Sequence, residues 1–185
     1  TCTGKVTITH AEESEEAEEI GGIAGVWMDS AEGDVTFTNV LFTGEVTTNV
    51  ARETVWYDNL FGKPYNNNGA GKLILNGYEM VGNGVGMKDG EYYVFNGYGM
   101  RWIASTVNAG TSSFKDKTIK LVNDIDLSGT QWMPIGYGQN RFNGTFDGQG
   151  KTITGMTITE YNGQPQAALF GNVALTTTFK NLTIS

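Results

Sequence analysis

The sequence predicts an all-β chain whose short strands stack as the rungs of a solenoid, with one short α-helix and a small strand-rich insertion. Three observations carry that prediction. Of 185 residues, 26 are Gly, 23 Thr and 16 Asn, while charged residues make up 17%, a composition of tight turns and β-branched strands rather than of a helical bundle. A strand phrase recurs as Phe37-Thr38-Asn39-Val40-Leu41-Phe42, Lys151-Thr152-Ile153-Thr154-Gly155-Met156-Thr157-Ile158 and Phe179-Lys180-Asn181-Leu182-Thr183-Ile184. In each copy an apolar residue is followed two positions later by Asn or Gly, which tolerate left-handed backbone, so the phrase reads as two short strands meeting at a corner. The interval from Ile153 to Phe179 is the size of one rung, as expected of coils that bury their apolar faces on their neighbours. An ordinary antiparallel sandwich also alternates apolar and polar residues and is the rival architecture.

Taken in order, residues 1–49 form a repeat block holding the first corner phrase and, before it, Gly22-Ile23-Ala24-Gly25-Val26. Residues 50–97 form a connection and a small β insertion. Within it, 50–71, with Pro64 and Asn66-Asn67-Asn68-Gly69, reads as a long connection, and 72–97 as a strand pair with wide loops. Residues 98–185 combine a helix with further rungs. Met100, Ile103, Ala104 and Val107 recur at helical spacing and Gly110 marks a stop. Ile119, Leu121, Ile125 and Leu127 follow as strand material, Trp132-Met133-Pro134-Ile135-Gly136 as a turn, and Ala168-Leu169-Phe170-Gly171-Asn172-Val173 precedes the last corner phrase. Asn-Gly pairs at Asn68, Asn76, Asn83, Asn96, Asn143 and Asn162 add turn signals.

Net charge is −8. Residues 1–50 hold one base, Lys5, against ten acids, and residues 51–185 hold eleven bases against ten acids. A chain with one strongly negative end repels phosphate backbones, which argues against nucleic-acid partners. No apolar run approaches the length of a membrane span. The single cysteine, Cys2, gives neither an internal disulfide nor metal-ligand spacing, so no metal or cofactor is expected. A start at Thr1, without Met or a charged-then-apolar leader, reads as a processed mature form or a fragment.

Val107-Asn108-Ala109-Gly110, Lys120-Leu121-Val122-Asn123-Asp124-Ile125-Asp126-Leu127, Trp132-Met133-Pro134-Ile135-Gly136 and the run from Phe142-Asn143-Gly144-Thr145-Phe146-Asp147-Gly148 to Ile153 together resemble the opening of the right-handed parallel β-helix in bacterial surface and secreted proteins with GLUG-type repeats. Gly22-Ile23-Ala24-Gly25 and Ala168-Leu169-Phe170-Gly171 are similar to the repeat's own signature. The resemblance covers about two thirds of the chain, and it implies a right-handed extracellular or cell-surface β-solenoid with a capping helix, often a stalk or adhesive module, with no catalytic machinery to carry over. Ala168 departs from it, standing where a glycine is usual. The order of the blocks departs too, since one repeat block precedes the helix.

Read cyclically, that order makes sense. Cys2-Thr3-Gly4-Lys5-Val6 matches Phe42-Thr43-Gly44-Glu45-Val46, so Cys2 occupies the strand position of Ile184 in the last copy. An unpaired last rung is a template for another strand, and the N-terminal block is a sequence-matched candidate to cover it. Three arrangements are compatible: the block stacks on its own C-terminal rung, on a neighbour's, giving a head-to-tail homo-oligomer or filament, or the chain is one window of a longer tandem array. The expected interface comprises Cys2, Thr3, Val6 and Ile8 against Phe179, Leu182 and Ile184.

No residue set demands catalysis. His10 is the only histidine and lies beside Glu12, Glu13, Glu15, Glu16, Glu18 and Glu19, which lack the glycine turn and spacing of a calcium loop. Asp124, Asp126 and Asp147 set against Arg141 or Lys151 would be the acids and base of a polysaccharide lyase, yet Asp147-Gly148 is a turn pair and Asp126 suits a strand end. Trp56 and Tyr57, in the connection, are the candidate glycan contacts, whereas Trp102 and Trp132 suit the core. A carbohydrate-active protein, binding module or lyase, is therefore the alternative to a non-enzymatic structural or adhesive protein that meets a polysaccharide or host surface.

Overall fold

The computed structural model describes residues 5–8, 24–29, 35–39, 45–48, 61–66, 72–158 and 167–185. The chain divides into two compact units, Thr1–Met80 and Val81–Ser185. The described residues are mostly sheet, with one helix.

The first unit carries β1 (Lys5–Ile8), β2 (Ala24–Asp29), β3 (Val35–Phe37), β4 (Glu45–Thr48), β5 (Phe61–Asn66), β6 (Leu73–Leu75) and the start of β7 (Tyr78–Gly82). β1 pairs with β4, β2 with β5 and β3 with β6, all parallel. The register Lys5↔Glu45 and Val6↔Val46 is the one in which the two sequence phrases match. β5 lies within the stretch read above as connection. At Asn76-Gly77 (φ 50° and 84°) the chain makes a two-residue hairpin into antiparallel β7, because Asn-Gly accepts two left-handed positions in succession.

In the second unit a like turn at Asp89-Gly90 (φ 52° and 79°) joins β8 (Val85–Lys88) to antiparallel β9 (Glu91–Val94). Tight turns thus replace the wide loops expected over 72–97. Helix α1 (Gly97–Asn108) follows, capped by Asn96, whose side chain accepts from the Gly99 amide at 3.0 Å. Met100, Ile103, Ala104 and Val107 are buried on one face, and Gly110 is left-handed (φ 74°) just past the end. The pair Asn96-Gly97 therefore opens a helix rather than making a turn.

Next come β10 (Thr118–Leu121), β11 (Ile125–Asp126), β12 (Thr145–Asp147), β13 (Thr152–Thr154), β14 (Thr178–Lys180) and β15 (Thr183–Ile184). β9, β10, β12 and β14 form one parallel run, and β11, β13 and β15 a second. Parallel bridges Ile135↔Phe170 and Phe142↔Val173 add a third line of contact. Within this unit the long sheet runs β8-β9-β10-β12-β14 and does not close on itself.

All three corner phrases place their Asn or Gly in left-handed backbone: Asn39 at φ 57°, Gly155 at 69° and Asn181 at 51°. The repeat register, however, differs from the interval inferred above. Phe179 lies opposite Phe146 rather than Ile153, and Ile184 opposite Ile153, so both offsets are longer than the interval from Ile153 to Phe179. Residues 148–151 separate β12 from β13, but only Asn181 and Leu182 separate β14 from β15, and that difference misaligned the phrases.

The core of the second unit gathers Val85, Val94, Met100, Ile103, Ile119, Leu121, Ile125, Trp132, Phe142, Phe146 and Ile153, none more than 2% exposed. Trp132 donates its indole N–H to the Leu169 carbonyl at 3.2 Å, satisfying its polar tip inside the core. A column of rings crosses the strands: Tyr92 on Phe114 (centroids 5.0 Å), Phe114 on Phe142 (6.3 Å), Phe142 on Phe170 (5.1 Å) and Phe170 on Phe179 (4.6 Å).

Candidate functional site

The feature that stands out is the edge formed by the last strands of the second unit. β14 ends the long sheet and β15 ends the shorter one. Here Phe179, Ile184 and Val173 are 43%, 48% and 40% exposed, although each opposes a buried residue one strand back, and Leu175 is fully exposed. Phe146 and Ile153, the partners of Phe179 and Ile184, are wholly buried. Sequence reasoning marked Phe179, Leu182 and Ile184; Leu182 is half-buried and packs on the core. Val173 and Leu175 were missed, although the phrase ending at Val173 pointed to their neighbourhood. Of the other expected interface residues, Cys2 and Thr3 lie outside the described residues. Val6 and Ile8 belong to β1, where the pairing with β4 is described but their side chains are not. His10, the glutamates from Glu12 to Glu19, and Trp56 and Tyr57 also lie outside the described residues.

Charge is organised along the long sheet. Lys120 of β10 donates to the Glu91 carboxylate of β9 at 2.5 Å. This bond holds the Glu91 carboxyl below its ordinary range and raises Lys120 above its own. On the next strands Lys180 Nζ lies 3.2 Å from Asp147 Oδ2. Lys120, Asp147 and Lys180 are register partners, so alternating signs succeed one another across β9, β10, β12 and β14. Neither pair is visible in sequence, because the partners sit on parallel strands that are far apart along the chain.

The carboxylates considered for catalysis are occupied by the backbone of the corners. Asp147 is 2% exposed; it accepts from the Gln149 amide (3.0 Å), the Gln149 side chain (2.5 Å) and Asn181 Nδ2 (3.0 Å). Burial pushes its carboxyl up, but these donors and Lys180 outweigh that and hold it below the ordinary range. Asp126 accepts from the amide and hydroxyl of Ser128, which lower its carboxyl pKa. Asp124 accepts from the Thr152 amide at 2.8 Å. Asp124 lies just before β11, which holds only Ile125 and Asp126. Among the described residues no three His, Cys, Asp or Glu side chains come together as a metal site.

One cleft of about 350 Å³ lies between α1 and the loop after β11, lined by Arg101, Ala104, Ser105, Asn108, Trp132 and Met133. Its polar groups hold the loop in place. Arg101 donates to the carbonyls of Leu127, Thr130 and Gln131, and Asn108 bonds the Pro134 carbonyl and the Gly136 amide. Comparison of the chain with family models, curated proteins and solved structures returned no match.

Proposed function

We propose that the chain is a structural or adhesive subunit of the cell exterior, built as a right-handed parallel β-solenoid that assembles head to tail. The N-terminal block, residues 1–49, would stack on the C-terminal rung of a neighbour. The single observation that carries this reading is the exposure of Phe179, Ile184 and Val173 on a rung whose neighbours are buried. Parallel ladders between strands distant in sequence occur in both units and support the solenoid, and such stacks bury their apolar faces only by adding further rungs. An edge that displays backbone groups and apolar side chains takes another strand readily. The use of Asp124, Asp126 and Asp147 in turn geometry favours this role over a lyase.

Light scattering and negative-stain electron microscopy of the whole chain at rising concentration test the proposal. The expected result is concentration-dependent growth into filaments, reduced by Phe179→Asp, which places a charge in the contact. A protein that stays monomeric throughout overturns it.

A further inference from the structure

We infer that strand β3 of a second copy pairs, parallel and in register, with the outer edge of β14, placing Phe37 opposite Phe179 and Asn39 opposite Asn181. This rests on the head-to-tail reading above and adds the strand and the register. Among the described strands, the order ends at β3 in the first unit and at β14 in the second. These two end strands open the same phrase, Phe37-Thr38-Asn39-Val40-Leu41-Phe42 and Phe179-Lys180-Asn181-Leu182-Thr183-Ile184. They also share a backbone, since Asn39 and Asn181 are both left-handed two residues after the phenylalanine.

A left-handed corner redirects the chain, and corners built from the same phrase with the same left-handed Asn redirect it alike. The C-terminal corner is already bonded to its inner neighbour, although that neighbour's corner is two residues longer. Gly148 donates to the Lys180 carbonyl, Gly150 to the Asn181 carbonyl, and Asn181 Nδ2 to Asp147. A second copy's Asn39 corner would carry the same left-handed turn one strand further out. The column of rings continues as well, with Phe37 meeting the half-covered face of Phe179. Charge favours the same pairing. Residues 1–80 hold four bases against thirteen acids, while β14 offers Lys180, whose side chain is 50% exposed.

The test uses full chains carrying Cys2→Ser, so that no native thiol remains. One variant adds Thr36→Cys and the other Thr178→Cys, both at exposed positions. Adjacent strands lie about 4.8 Å apart, within disulfide range, whereas an offset of two residues adds about 6.6 Å along the strand and leaves it. Mixed and mildly oxidised, Thr36→Cys with Thr178→Cys should give about tenfold more disulfide-linked dimer than the offset pair Thr38→Cys with Thr178→Cys. Multimers by light scattering with equal or negligible cross-linking of the two pairs overturn the register but leave head-to-tail assembly standing. Monomers without cross-links overturn both. A chain carrying Thr36→Cys and Thr178→Cys together that links internally at high dilution shows that β3 covers its own β14, and overturns the second copy as occupant.

Discussion

At Asn181 the backbone stands at φ 51° while the side chain bonds buried Asp147, so one residue both turns the chain and ties two neighbouring strands. Asn181→Val should lower stability by about 2–3 kcal/mol, combining left-handed strain with a lost bond to a charged group. Asn181→Gly keeps the turn and should cost less, and urea titration of the two variants checks the ranking. Asp147 adds a pH dependence of known sign. Its carboxyl is held below the ordinary range, so its contribution is present above that range and is lost as pH falls through the folded value. Asp147→Asn should flatten the decline of stability on acidification, read from melting curves across acidic pH. The three left-handed corners were legible in the sequence because Asn and Gly are the residues that accept them. The depth of Asp147 and the pairing of Lys120 with Glu91 were not, since both depend on strands that meet in space but lie far apart along the chain.

Helix α1 sits against the turn before β8 and against β9 by way of glycines. A Cβ on Gly99 would lie 2.2 Å from the Gly84 carbonyl oxygen, and one on Gly84 would lie 2.1 Å from Asn96 Oδ1. Alanine is the better helix former by about 1 kcal/mol, yet Gly99→Ala should destabilise by about 1–3 kcal/mol, because the obstructing atom is backbone and the helix must shift. Thermal melting of the variant decides which effect dominates. The helix itself could be read from the spacing of Met100, Ile103, Ala104 and Val107, a local period that sequence displays directly. The pairing of the rungs could not be read to the residue. Corners of unequal length, longer between β12 and β13 than between β14 and β15, shift the register without altering the pattern of apolar residues.

For the molecule as a whole, the aromatic column sets where stability resides. Phe142→Ala empties a fully buried site and should cost about 3–5 kcal/mol, whereas Phe179→Ala, at a residue 43% exposed, should cost less in dilute protein. Association of copies would raise the melting temperature with protein concentration, and Phe179→Asp should remove that dependence, as calorimetry over a dilution series would show. The parallel ladders also govern how the molecule is made. Partners such as Lys5 and Glu45, or Phe146 and Phe179, are distant in sequence, so each parallel pair closes a long loop before it gains its hydrogen bonds, and folding of such topology is slow. A nascent chain therefore spends much of its synthesis with an unpaired strand edge near its growing end. Crowding of ribosomes on one message would bring such ends together, so misassembly during translation is a hazard for expression of this chain.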